Sequence, residues 1–364
     1  MIRVLHYGLS SNAGGIETYL LNLTQRVDRS RFHFDFVYNR VGEPCFYREL
    51  TALGSRFYGI TPRRQSVRKN RAELDELFER EAFDIFHCHV NTLSYVEPIN
   101  AALRHDCRVV VHSHNSGASN SLVTNLLHRA HSATLPKDRV TMVAVSRMAG
   151  QWLFGPDARF TIINNGIEVD RFAFRQEARD RVRKALDIDA SFVVGNVGAF
   201  LSAKNHVFLV KVFEALSAIV PEAKLVLVGL GPLEKRVRLQ VADSGLTDKV
   251  LFLGRRDDIP DLLSAMDRLI FPSLYEGFPL AVLEAQVAGL PSLISDAITD
   301  EVVVTDVCKR IPLSRSPHQW AQELVAVGAG RDRASCSEAA SAAGVSVEVT
   351  AERVRRLYLE NMVS

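Results

Sequence analysis

Short apolar runs alternate with amphipathic segments along the whole chain, and the alternation restarts once. In the first half, runs at 3–7, 33–38, 85–89, 108–112, 141–145 and 160–163 predict strands, and helical spacing predicts helices at 16–27, 69–80, 94–104, 122–131 and 147–154. Strand–helix alternation of this kind implies a parallel, doubly wound sheet. Asn164, Asn165 and Gly166 mark a turn, and the charged stretch 170–187 contains no clear strand. From residue 192 the pattern resumes, with strands at 192–197, 224–228, 250–253, 269–271 and 291–294 and helices at 205–219, 233–243, 259–265 and 279–288. The expected fold class is α/β, with two Rossmann-like domains at 1–168 and 169–346 and a hinge near 165–175. Residues 328–344 turn rich in Ala, Ser and Gly, as a loose helix or a flexible connector. At 347–364, Val349, Val354, Leu357 and Tyr358 at helical spacing predict a terminal helix that packs back on the first domain. No internal repeat is visible.

Composition narrows the class. The chain has 364 residues, 47% hydrophobic and 24% charged, so it is globular rather than disordered. A net charge of +2 is too balanced to argue for a nucleic-acid partner. Cys45, Cys88, Cys107, Cys308 and Cys336 are scattered and odd in number, which argues against a disulfide framework and for a reducing cytoplasm. The first residues read as a strand and loop, not a signal peptide, and no run has the length of a spanning helix.

The most informative stretch runs from Ser273 to Pro291. Glu276 lies in a Gly/Pro turn after an apolar strand, and Glu284 lies eight positions on, inside the following helix. A strand, a tight turn and a helix N-terminus offer free N–H groups to an anion. Carboxylates accept from sugar or ribose hydroxyls. Phosphate and hydroxyls together point to a nucleotide sugar. Other loops join this reading. Gly8 to Thr18 follows the first strand, and Gly14 and Gly15 there permit close backbone approach and positive φ, although the spacing is not a dinucleotide fingerprint. Lys204 and Asn205 open a helix after Gly198, where a lysine suits a diphosphate. Gly229, Gly231 and Pro232 form one strand-to-loop turn, and Gly254 with Arg255 another.

His87 and His89 alternate along one strand, as do His112 and His114 along the next, so each pair shares a face. A metal reading lacks acidic or cysteine partners. Strand-end placement favours His114 as a catalytic group, with His112 as the fallback. The basic run Arg63, Arg64, Arg68, Lys69, Arg71 reads either as a solvated loop and helix start or as a contact with anionic lipid headgroups.

Taken together, these residues resemble the retaining glycosyltransferase family 4, over nearly the whole chain. The resemblance is carried by Gly14-Gly15-Ile16-Glu17, by Asn164-Asn165-Gly166 through Phe172, by Ala203-Lys204-Asn205, by Gly229-Leu230-Gly231-Pro232, and by the stretch from Glu276 to Pro291. The stretches around His112 and His114, from Val145 to Gly155, and Leu293 to Asp296 resemble the branch that builds bacterial exopolysaccharide and capsule. The resemblance implies a GT-B fold, two Rossmann-like domains facing a cleft, closing about the hinge. It implies a hexosyltransferase that moves a sugar, with retention, from a nucleotide sugar, UDP-linked by family frequency, to a hydroxyl of a growing glycan that is commonly lipid-linked. By position it implies that Glu284 holds the ribose, Glu276 faces the donor sugar, and Gly277, Phe278, Pro279 and Leu280 frame sugar and phosphate. Lys204 neutralises the diphosphate, with Asn205 and Gly229 lining the donor loops, Gly14 and Gly15 approaching the diphosphate, Arg255 bordering the base and His114 beside the sugar. No cofactor and no metal are expected, and the location implied is cytoplasmic, at the inner face of the membrane if the basic run meets lipid. One position departs: the arginine usual after the glycine at Gly198 is Ala199 here, which leaves room for a noncatalytic nucleotide-sugar-binding partner subunit. An enzyme that isomerises or hydrolyses the nucleotide sugar is a third option, and the missing fingerprint disfavours a dehydrogenase.

Overall fold

The structure is a computed structural model that describes residues 1–12, 14–118, 121–328 and 332–363. The chain divides into two units, one formed by Met1–Gly166 with Val347–Ser364, the other by Ile167–Ser346. The division falls two residues before the expected 168/169 boundary, and the terminal helix is part of the first unit.

In the first unit the strands are β1 (Ile2–Tyr7), β2 (Phe32–Asn39), β3 (Phe57–Ile60), β4 (Ile85–Val90), β5 (Arg108–Ser113), β6 (Val140–Ala144) and β7 (Thr161–Ile162). They form a parallel sheet in the order β3-β2-β1-β4-β5-β6-β7. The helices are α1 (Gly15–Arg26), α2 (Tyr47–Ala52), α3 (Val67–Arg80), α4 (Glu97–Arg104), α5 (Leu122–Thr134) and α6 (Arg147–Phe154). Helices cover both faces, so β4 is buried along its whole length. Its Phe86 and Cys88 pack with Leu5, Val109 and Val111 on one side. Ile85 packs with Val4, Val110 and the α1 side chains Tyr19, Leu20 and Leu23 on the other. β3 and α2 are absent from the sequence-based expectation. β3 is a short, half-buried edge strand broken by Gly59, too brief to show a period.

In the second unit the strands are β8 (Phe192–Val197), β9 (Ala223–Val228), β10 (Val250–Gly254), β11 (Arg268–Phe271), β12 (Ser292–Ser295) and β13 (Cys308–Ile311), again parallel, in the order β10-β9-β8-β11-β12-β13. The helices are α7 (Val169–Phe172), α8 (Gln176–Ala185), α9 (His206–Ile219), α10 (Glu234–Asp243), α11 (Ile259–Ala265), α12 (Leu280–Val287), α13 (Pro317–Ala326) and α14 (Cys336–Ala342). Leu209, Leu216, Leu225, Leu227, Ile270, Leu293 and Trp320 form one core.

The charged stretch 170–187 proves to hold α7 and α8. Two of its arginines face inward: Arg183 donates to the Ala265 carbonyl at 2.9 Å and pairs with Asp267 at 3.2 Å, and Arg179 donates to Ala265 and Met266 at 3.1 and 3.2 Å. These carbonyls end α11, where a helix leaves acceptors unsatisfied. A helix that docks through arginine shows no apolar period, which is why the pattern left it blank. β13 and α13 also went unseen, because Lys309 and Arg310 interrupt the apolar signal of an edge strand. The Ala/Ser/Gly-rich stretch contains α14; its residues 329–331 lie outside the described residues.

The last helix, α15 (Val347–Val363), buries Val354, Leu357 and Tyr358 in the first unit's core against Tyr19, Phe32 and Phe34. The Tyr358 hydroxyl lies 2.6 Å from His87 Nδ1. Tyr358→Ala is expected to cost about 3–5 kcal/mol in denaturant unfolding of this unit. Tyr358→Phe, which removes only the hydroxyl, should cost about 1 kcal/mol. Equal losses would place the whole effect on the hydrogen bond instead of the packing.

Candidate functional site

In the second unit the chain winds outward from β8 through β9 to β10 and, on the other side, from β11 through β12 to β13. The loops leaving β8 and β11 therefore diverge, and the crevice at that switch point is where open α/β sheets receive ligands. Lys204 comes from the first of these loops and Glu276 from the second, and the ammonium meets the carboxylate at 2.6 Å. Leu274 N–H donates to the Ala203 carbonyl at 2.7 Å, tying the loops together. The Lys204 ammonium lies 4.8 Å from the Phe271 ring centroid. Its stem runs past Gly198, where a Cβ would stand 3.4 Å from Lys204 Cε. Asn205 turns the chain into α9 with left-handed backbone angles (φ 54°, ψ 41°), a conformation asparagine tolerates. No side chain caps that helix end.

Gly229 and Gly231 press against the same loop. A Cβ on Gly229 would lie 2.2 Å from the Gly198 carbonyl oxygen, and one on Gly231 2.6 Å from Phe200 N. Only glycine allows this backbone contact, so packing alone accounts for both residues. Arg255 is exposed and makes no hydrogen bond or ion pair among the described residues. Arg256 grips Asp258 in two bonds of 2.8 and 2.6 Å. Of these two neighbouring arginines, Arg255 alone is uncommitted among the described residues.

Pro279 forms the N-cap of α12, Gly277 and Phe278 are buried before it, and Leu280 opens the helix. Glu284 stands in the next turn, and its carboxyl has no hydrogen-bond or ion-pair partner among the described residues. Burial pushes it up to about 7, with Arg171 pulling weakly the other way. An unpaired, half-buried carboxyl with so displaced an affinity for its proton marks a candidate binding group. Gln286, two positions on, is structural: its side chain donates to the Val302 carbonyl at 2.7 Å and accepts from Val304 and Thr305 N–H at 2.9 and 3.1 Å. The glycine ending the signature is also structural. Gly289 has φ 58°, and a Cβ there would meet the Arg333 carbonyl oxygen at 2.4 Å.

In the loop after β1, positive φ belongs to Gly8 (127°) and not to Gly14 or Gly15. A Cβ on Gly8 would lie 2.6 Å from the His89 carbonyl oxygen. Gly14 is the N-cap of α1, and the space beside Gly15 is open. Glu17 folds back to accept from Ser10 N–H at 3.0 Å and Ser10 Oγ at 2.7 Å, holding the loop closed on itself. His87, His89 and His112 are buried, and His114 is half-buried at the sheet's C-terminal edge. Desolvation lowers His114 to about 3 and holds the other three well below their ordinary value, so all are neutral.

Several residues escaped the sequence reading. His6 adds a fifth imidazole beside His89, its Nδ1 3.0 Å from His89 Nε2. His206 stacks on Phe200 at 4.3 Å, and burial lowers it to about 4. Ser273 Oγ is buried with no partner in the loop that carries Glu276. A lone histidine or serine on an apolar segment gives no signal of its own. In the basic run, Arg63 lies 4.9 Å over the Tyr95 ring and Arg71 pairs with Glu97 at 3.2 Å, while Arg64, Arg68 and Lys69 are exposed.

Comparison with known proteins adds independent findings. Residues 178–323 match the family described as glycosyl transferases group 1, and residues 13–171 match glycosyltransferase family 4. The chain is 32% identical over 346 residues to the candidate glycosyltransferase EpsF of Bacillus subtilis (strain 168), spanning 91% of this chain and 89% of that one. It is 25% identical over 308 residues to the UDP-Gal:alpha-D-GlcNAc-diphosphoundecaprenol alpha-1,3-galactosyltransferase of Escherichia coli, spanning 81% and 79%. Its fold matches the crystal structure of Anabaena HepE in complex with UDP and glucose, with a TM-score of 0.82 and 18% identity over 99% of this chain and 100% of that one.

The Glu284 carboxyl yields a pH test. With its proton affinity raised from near 4.5 to about 7, the folded chain keeps a proton that the unfolded chain has lost. This contribution to stability is full below about pH 4.5 and is lost as pH rises through about 7. Glu284→Gln is neutral throughout, so its stability relative to the parent is expected to rise by up to about 3 kcal/mol between about pH 5 and 8. Paired melting curves check this, and a difference that stays flat across the range would place the carboxyl in water.

Proposed function

Because the chain belongs to glycosyltransferase family 4, we propose that it transfers a sugar from a UDP-sugar to a hydroxyl of a growing, lipid-linked glycan in exopolysaccharide or capsule synthesis, with retention of anomeric configuration. The Lys204–Glu276 pair at the β8/β11 switch point is the observation that supports this most. A diphosphate entering the crevice competes for the ammonium and releases Glu276 to accept from a sugar hydroxyl. Lys204 and the uncapped start of α9 then stabilise the charge that develops on the leaving diphosphate. Glu284 accepts from the ribose hydroxyls, and Arg255, exposed and unpaired, borders the nucleotide and offsets the arginine lost at Ala199. In this reading the donor site works without a metal ion. Within the first unit by itself, Gly15 has open space beside it and His114 is a neutral imidazole at the sheet edge, the group assigned in this reading to acceptor binding. The UDP donor and lipid-linked acceptor draw support from the name of the Escherichia coli relative and from UDP in the HepE crystal. No helix among the described residues is long and apolar enough to cross a membrane. In this reading the exposed Arg64, Arg68 and Lys69 serve as the contact with anionic headgroups.

Ala199 favours one second reading, a noncatalytic nucleotide-sugar-binding subunit. UDP release from the purified chain, given UDP-sugars with and without a lipid-linked glycan acceptor, separates the two. A transferase releases UDP in an acceptor-dependent way, a binding subunit releases none, and acceptor-independent release would point to hydrolysis.

Two substitutions probe the roles. Lys204→Ala is expected to lower kcat about 100- to 1000-fold with a smaller loss of donor affinity. Glu284→Ala is expected to weaken UDP binding about tenfold or more by calorimetry. Unchanged affinity would remove Glu284 from the ribose. Ala199→Arg restores a cation at the leaving group and is expected to raise kcat with little change in KM; a fall in kcat would mean that the crevice is already filled.

A further inference from the structure

The face of the first sheet beneath α1 and α15 carries five imidazoles at three adjacent strands: His6 on β1, His87 and His89 on β4, His112 on β5 and His114 just past the end of β5. His89 and His112 are direct partners across the β4–β5 ladder. His114, two residues beyond His112, returns to the same face. One ring nitrogen from each of these three lies within 4.8 Å of the others. We propose that His89, His112 and His114 form a site for a divalent transition-metal ion of the zinc, cobalt or copper class.

The hydrogen-bond accounting supports this. His89 Nδ1 and His114 Nε2 lie 2.9 Å apart and share a proton. His112 Nε2 is buried and has no partner, and neither has the hydroxyl of Tyr19. The Tyr19 ring sits over the three imidazoles, 5.4 Å from His112, 5.4 Å from His114 and 5.7 Å from His89. Unsatisfied buried polar atoms are rare and call for an explanation. A bound ion uses the His112 lone pair directly. A tetrahedral ion with bonds of about 2.0–2.1 Å to nitrogen spaces its ligands about 3.3 Å apart, so the rings need little movement.

The remaining nitrogens are held as metal-ligating histidines usually are. His89 Nε2 faces His6 Nδ1 at 3.0 Å, and His112 Nδ1 faces His87 Nε2 at 3.2 Å. His87 is fixed in turn by the Tyr358 hydroxyl. The inner group of His6, His87 and His89 has the same reach, but both nitrogens of His87 are already engaged and all three rings are buried. His114, half-buried at the sheet edge, provides a way in. Three neutral imidazoles with no thiolate select zinc, cobalt or copper over magnesium or calcium. Tyr19 or a water completes the coordination. The inference does not rest on the proposed transfer reaction, because its readout is metal uptake.

The chain, made without a histidine tag and stripped by chelator, is titrated with cobalt(II) alone. One equivalent is expected to bind, with visible absorption bands of a tetrahedral ion, to be displaced by zinc, and to raise the melting temperature. His112→Gln and His114→Gln should each abolish the bands, and His6→Gln should weaken binding about 10- to 100-fold. If His112→Gln fails to fold by circular dichroism, His114→Gln at the edge carries the test. Absence of bands in the parent, or bands that survive both substitutions, would overturn the site. Bands lost in His6→Gln but kept in His114→Gln would overturn it in favour of the inner group.

Discussion

Where a parallel sheet winds outward in both directions from its middle, the loops leaving the two central strands part, and no crossing connection closes over them. In the second unit this happens between β8 and β11, and in the first between β1 and β4. Each unit concentrates its chemistry there. Lys204 and Glu276, 72 residues apart, meet only because β8 and β11 are neighbours. Gly8 and His89 are brought together in the same way by β1 and β4. The remaining architecture, from the buried runs to the helices on both faces, fixes where those loops leave each sheet.

In the second unit these loops are held by backbone pressed against backbone. Gly229 and Gly231 let the loop after β9 lie on the loop after β8, and Phe200 N–H donates to the Leu230 carbonyl at 3.1 Å beyond the end of the ladder. Leu274 N–H extends the same stitching to the loop after β11. The lysine and the glutamate thus stand on short, cross-linked segments whose positions are set by the sheet. Gln286 does similar work behind α12 by filling its hydrogen bonds with the loop at 302–305. Gly229, Gly231, Gln286 and Gly289 are explained by this packing with no ligand in view, and Glu284, which has no partner among the described residues, stands out against them.

Much of this was legible in the chain. Long buried strands such as β8 and strongly periodic helices such as α3 and α9 declare themselves through apolar spacing. So do Glu276 and Glu284, because each sits in its own strand, turn and helix context. What escaped was of two kinds. Elements that dock through polar groups, such as α8 with its arginines on the end of α11, or short edge strands such as β3 and β13, lack an apolar period. Relations between distant strands escaped as well. The sequence shows two histidine pairs, but it takes the β1-β4-β5 order to add His6 and to set His89 opposite His112. Gly8 was passed over for the adjacent glycines after it, because positive φ is fixed by what the chain must clear, here the His89 carbonyl, and not by glycine density.

The return of α15 to the first unit has a consequence for biosynthesis. Tyr358, Val354 and Leu357 seal a core whose other members are nearly all encoded before residue 167. A nascent first half emerging from the ribosome therefore exposes that apolar face throughout translation of the second half. Residues 167–346 form a compact unit of their own, so that unit can complete its packing while the first still waits for α15.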